Sequence, residues 1–144
     1  MPKQPLSSVG ISASALACIR AAAIAAYPNE ACGLLFGTEA RIIEATDAKN
    51  IAAEPASRFE IDPAALFAAH RRSREGPLAL IGCWHSHPNG DFTPSTYDAA
   101  GVADPAWIWL IEAHGNVSAH LPDSSSSTGF RPVNLAEDSP AAMV

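Results

Sequence analysis

Residues 85–98 read HSHPNGDFTPSTYD: two histidines one residue apart, a proline, then a serine and an aspartate three residues apart. Imidazoles and a carboxylate are donors that Zn2+ accepts. Two histidines and one acid with a position left open describe a catalytic zinc site, whereas a closed structural site uses four protein ligands. If the apolar run from Leu78 is a strand, His85 and His87 project from one face near its end, because alternate side chains share a side. Pro88 has no N–H and would end the ladder. Two partly exposed histidines would give the same H-x-H pattern, so both readings stand. Ser95 and Asp98 have the spacing of a capping box with Pro94 before them, which is a sufficient structural reason for both. The same cap would hold Asp98 in a first helical turn, from which its carboxylate can face the histidines as a third ligand.

Hydrolysis at such a centre also needs a base. Glu30, in YPNEACGLLFG, lies between a helix stop and an apolar run. Burying an unpaired carboxylate there is costly, so Glu30 is either a solvated loop acid or a working one. Cys18, Cys32 and Cys83 form no C-x-x-C pair and lack zinc-finger spacing. They read as buried free thiols in a reducing cytosol.

The elements that must position these groups follow from the pattern. SASALACIRAAAIAAYP reads as a helix capped by Ser12 or Ser14 and stopped by Pro28. ACGLLFG and ARIIEATDA read as strands joined by a turn near residues 37–39, and NIAAEPASRFEID as irregular chain. DPAALFAAHRRSRE reads as a helix with Asp62 as cap and Pro63 in the first position, ended by Gly76-Pro77. LALIGCWHSH is a central strand, PSTYDAAGVAD a short helix, and AWIWLIEA and NVSAHL a hairpin around His114-Gly115-Asn116. PDSSSSTG reads as a mobile segment and FRPVNL as an edge strand. The expectation is one mixed α/β domain over residues 1–136, with 137–144 a disordered tail.

The 144 residues, 48% hydrophobic and 17% charged, suffice for one domain with a real core. A net charge of -6 and the lack of a basic stripe argue against nucleic acid as a partner. The apolar stretch ALACIRAAAIAAY is short and carries Arg20, so no membrane span is expected. With no secretory pattern at the N-terminus, the expected location is cytoplasmic.

Glu30, His85-Ser86-His87-Pro88, Ser95 and Asp98 together resemble the JAMM motif of the MPN-plus metalloproteases: a distant Glu, then H-[ST]-H-P, seven residues to a Ser and two more to an Asp. PNEACGLLFG, RFEIDP and IGCWHSHP are similar to the flanking segments of that family, and the resemblance covers roughly residues 10–121. It implies a curved mixed β-sheet flanked by helices. It implies one Zn2+ per chain, held by His85, His87 and Asp98, with Glu30 as general base and later proton donor and Ser95 stabilising the oxyanion. The activity implied is hydrolysis of peptide or isopeptide bonds after the C-terminal Gly-Gly of ubiquitin-like proteins. The short stretch from Asp98 to Trp107 resembles the small bacterial branch. The expected partner there is a ubiquitin-fold sulfur-carrier protein, from which cysteine is released or a C-terminal extension trimmed. Cys83 departs from a bulkier apolar residue, and the chain past Leu121 matches less clearly. Two rivals stand beside this reading. One is a non-catalytic MPN-like scaffold, which would not need Glu30 or an open ligand set. The other is a zinc deaminase, whose H-x-E and P-C-x-x-C signature is absent.

Overall fold

The computed structural model describes residues 6–138. In chain order the elements are β1 (Ser8–Ile11), α1 (Ala13–Ala26), β2 (Cys32–Thr38), β3 (Arg41–Ala48), α2 (Pro63–Glu75), β4 (Ala79–Ser86), α3 (Thr96–Ala100), β5 (Ile108–Ala113), β6 (Asn116–Pro122) and β7 (Phe130–Glu137). The strands lie in the order β1-β3-β2-β4-β5-β6-β7, and β7 pairs back onto β1, so the curved sheet closes. β1/β3, β1/β7 and β4/β5 are parallel; the remaining neighbours are antiparallel. The α/β class and the mixed, helix-flanked sheet are as the sequence implied, with curvature carried through to closure.

Local chemistry accounts for the helix starts. Ser12 Oγ accepts from the Ala15 amide at 3.1 Å and donates to the Ile43 carbonyl at 2.7 Å, so one cap also ties α1 to β3. Asp62 accepts from the Ala64 amide at 3.1 Å, with Pro63 in the first turn. Ala15, Leu16, Ile19 and Ala23 form the buried stripe of α1. Ala15, Leu16 and Ile19 meet Leu35, Ile42, Ala45, Trp84 and Leu110 on one side of the sheet. On the other side, Leu34, Phe36, Cys83 and Trp109 pack with Ala65, Leu66 and Ala69 of α2. Arg72 of α2 lies 4.1 Å over the Phe36 ring and pairs with Glu44 at 2.6 Å. Every residue of β5 is buried, as suits a run of apolar residues covered on both faces. In the β5–β6 hairpin, His114 and Gly115 both have positive φ, the geometry of a two-residue primed turn.

Three expectations are revised. β1 was not legible, being four residues held by β3 and β7. β7 is no edge strand, since β6 pairs with one part of it and β1 with the other. PDSSSSTG folds into a hydrogen-bonded turn in which Asp123 accepts from Ser125 N and Oγ, and its amide donates to Gly129 O. Glu137 closes β7, and Asp138 pairs with Arg41 at 2.6 Å; residues 139–144 of the expected tail lie outside the described residues. Among the described residues, no helix is long and apolar enough to cross a membrane.

The β2–β4 contact, which carries the site, depends on Gly33. The Trp84 indole crosses it to donate to the Thr46 carbonyl at 2.9 Å. A Cβ on Gly33 would stand 1.8 Å from that carbonyl oxygen and 2.4 Å from the indole nitrogen. Gly33→Ala should therefore lower unfolding stability in urea by about 3 kcal/mol or more, beyond the ordinary cost of overpacking. A loss below ~1 kcal/mol would contradict the β2–β3 and β2–β4 registers.

Candidate metal centre

The site forms where β4 ends between its two neighbours, β2 and β5. Cys32 pairs with His85, and the ladder continues one step further: Ser86 N donates to Ala31 O at 3.0 Å, and Ala31 N donates to Ser86 Oγ at 2.8 Å. His87 N then crosses to the Glu112 carbonyl of β5 at 2.7 Å. His85 and His87 thus emerge side by side, their Nε2 atoms 3.0 Å apart. Asp98 comes from α3. Ser95 caps that helix by accepting from Asp98 N at 3.0 Å, while Asp98 Oδ2 accepts from Ser95 N at 2.8 Å. The reciprocal box turns the carboxylate inward, so that Oδ2 lies 3.1 Å from His85 Nε2 and 3.3 Å from His87 Nε2. Glu30 brings a carboxylate oxygen within 4.8 Å of the donor atoms of both histidines.

This arrangement fits a divalent ion. Donors about 2.0–2.1 Å from a tetrahedral ion stand ~3.3 Å from one another, close to the spacing of His85, His87 and Asp98. His87 Nδ1 lies 2.6 Å from the Asp91 carbonyl, which accepts its proton and leaves the Nε2 lone pair facing the cluster. Burial drives the His85 imidazole towards its neutral form against the opposing pull of Asp98. Burial also opposes charge on His87, but Asp98 and the Asp91 carbonyl raise it overall. The two acids differ. Burial would raise Asp98, yet the imidazoles and the Ser95 amide hold its carboxyl well below the usual carboxylate range. Burial raises Glu30 to about 7, with His87 opposing and Asp98 adding to the rise. Glu30 is 5% exposed, and its Oε1 has no hydrogen-bond partner in the protein.

All five residues singled out in the sequence are therefore brought together. Others in the site were not singled out as site residues in the sequence, although Phe59 lies in RFEIDP. Phe59 stacks on His85 at 4.4 Å between ring centroids, and Trp109 meets the same imidazole edge-on at 6.0 Å. Asn50 binds the Glu30 carbonyl at 2.9 Å. A polar cleft of about 250 Å3, lined by Glu30, Ser57, His87, Asn89 and Ser95, opens beside the cluster. An apolar hollow of about 490 Å3 lies beyond Phe59, Tyr97 and Trp109.

The family described as prokaryotic homologs of the JAB domain matches residues 12–123. No curated protein matches the sequence. Among solved structures, a protein from Desulfitobacterium hafniense superposes with a TM-score of 0.78 at 24% identity, covering 90% of this chain and 92% of that one. A JAB1/MPN domain protein from Archaeoglobus fulgidus gives 0.59 at 21% identity, with 92% and 99% covered. A structure described as JAMM, a metalloprotease-like zinc site in the proteasome and signalosome, gives 0.56 at 19% identity, with 91% and 98% covered. These likenesses show a shared fold.

The Glu30 environment has a stability consequence. Its folded-state pKa of about 7 lies above the usual 4.5, so the folded protein keeps a proton that the unfolded chain loses as pH rises through that window, and stability falls. With a chelator present, Glu30→Gln should exceed the parent in stability by on the order of 2 kcal/mol at pH 8 and match it near pH 4, measured by urea unfolding. Equal stability at pH 8 would make Glu30 a solvated acid.

Proposed function

This chain belongs to the family of prokaryotic homologs of the JAB domain, and from that membership we propose that it is a zinc-dependent hydrolase of peptide or isopeptide bonds. Its proposed substrate is the C-terminal Gly-Gly segment of a ubiquitin-like or sulfur-carrier protein, from which it releases a residue or trims an extension. The observation that carries the reading is the convergence of His85, His87 and Asp98, whose donor atoms lie 3.0, 3.1 and 3.3 Å apart, with the Glu30 carboxylate within 4.8 Å of both imidazoles.

His85, His87 and Asp98 would hold the ion. Their donor spacing supports this, and Asp98 stays ionised across the physiological range. The relative described as carrying a metalloprotease-like zinc site supports zinc as the metal. When bound, zinc supplies Lewis acidity and makes water more acidic. Glu30 would be left free to accept the proton of the attacking water and return it to the departing amine, work suited to an acid poised near neutrality. Ser95 Oγ already accepts from Asp98 N; its hydroxyl hydrogen remains to donate to the carbonyl oxygen as negative charge develops there. The cleft beside Glu30 and Ser95 is small, which suits glycines, whose backbones approach closely without side chains.

The deciding experiment uses a ubiquitin-fold protein extended by one residue past Gly-Gly. The parent protein should hold one zinc per chain and cut this substrate. Glu30→Gln should hold equal zinc and lose ~10³-fold or more in single-turnover rate, because the amide cannot take the proton. His87→Ala should lose most of its zinc to a chelator. Normal cleavage by zinc-loaded Glu30→Gln would overturn the mechanism. Absence of cleavage by the parent would favour a non-catalytic interaction module.

Ser95 separates two roles within the same assay. Its loss as a cap costs on the order of 1 kcal/mol. Its loss as an oxyanion donor lowers the rate ~10²-fold with zinc retained. Ser95→Ala should show both effects; a lower melting temperature with full turnover would leave it only the cap.

A further inference from the structure

We propose that Asn50 is a positioning residue that sets Glu30 and the Phe59 wall in register with the histidines. Its side-chain amide uses all four hydrogen-bonding directions on backbone. Nδ2 donates to Glu30 O at 2.9 Å and Arg58 O at 3.1 Å; Oδ1 accepts from Ala52 N at 3.0 Å and Glu60 N at 3.1 Å. One amide offers two donors and two acceptor lone pairs, so no capacity is left over.

The four partners lie on different parts of the site. Glu30 is on the segment entering β2. Arg58 and Glu60 flank Phe59, whose ring covers His85 at 4.4 Å. Ala52 starts the loop that returns to Pro55, and the Pro55 carbonyl accepts from the Glu30 amide at 2.7 Å. The Glu30 backbone is therefore bound by this loop through both its N–H and its C=O. The loop closes on itself at one isolated bridge, Asn50 with Ile61, through Ile51 N to Glu60 O at 2.9 Å and Asp62 N to Lys49 O at 3.1 Å, and at a turn where Ser57 N and Arg58 N donate to Glu54 O. None of these backbone bonds reaches Glu30; the Asn50 side chain joins this closed loop to the Glu30 carbonyl while tying Ala52, Arg58 and Glu60 together. Its action on the chemistry runs through Glu30, since small displacements of a proton-carrying group are costly in rate.

The inference rests on the hydrolase reading for its rate readout only. The test compares zinc-loaded Asn50→Ala and Asn50→Asp with the parent by residue-resolved amide hydrogen exchange, zinc content and steady-state cleavage of the Gly-Gly substrate. Exchange reports local opening directly. In Asn50→Ala, the Glu30, Ala52 and Glu60 amides should exchange ~10-fold faster or more, with kcat down ~10-fold or more and KM and zinc content near the parent values. Asn50→Asp keeps an acceptor for Ala52 and Glu60 but places a second oxygen against two carbonyls. It should keep those two amides protected, release the Glu30 amide and lose kcat. Ile19→Val, which loosens the core away from the site, should leave kcat and the Glu30 amide unchanged. Parent-like protection of the Glu30 amide in both Asn50 variants would overturn the proposal, as would a kcat loss no greater than in Ile19→Val. If the parent cuts nothing, the hydrolase reading fails, and the exchange pattern alone decides the role of Asn50.

Discussion

Two hydrogen bonds between Ala31 and Ser86 set the geometry of everything around the centre. They carry the β2–β4 ladder one residue past its regular end, using the serine hydroxyl where a backbone carbonyl would otherwise accept. Glu30 precedes Ala31 by one residue, and His85 and His87 flank Ser86. A slip of one residue would turn alternate side chains to the opposite face and scatter the cluster. The register is secured in the core below, where Trp84 lies against Gly33 and reaches Thr46. The glycine that admits the indole thus helps to place a carboxylate at the rim.

Such a cluster is expensive to bury, and the protein meets that cost differently for each acid. Asp98 stays charged because amide and imidazole groups surround it. Glu30 has no such company for Oε1 and keeps its proton instead. Two carboxylates in opposed environments are held in different states, one an anion throughout and the other protonated up to about neutral pH. The capping box of α3 belongs to this economy: its serine orients the acid that must remain ionised.

The parts legible in the sequence were those encoded over short distances. Ser12, Asp62 and Ser95 announce helix starts, and H-x-H on an apolar run places two imidazoles on one side. Glu30 was legible only through its company, since an acid before a buried strand has a solvated reading as well. What escaped depends on contacts between distant segments. β1 has four residues and owes its existence to β3 and to β7, the latter more than a hundred residues later in the chain. Phe59 and Asn50 sit in chain without periodicity, and nothing local says that one covers an imidazole and the other binds a carbonyl twenty residues back. Closure of the sheet likewise depends on which end strands meet.

The edge-on packing of Trp109 against His85 gives the molecule an optical property. Of its three tryptophans, Trp109 touches a histidine of the centre, while the Trp84 indole is spent on the Thr46 carbonyl at the heart of the sheet. An indole emits according to its surroundings, and an open-shell ion such as Co2+ drains its excited state over short distances. Trp109 lies edge-on against one of the imidazoles, so an ion held there would stand beside an indole whose emission could report it.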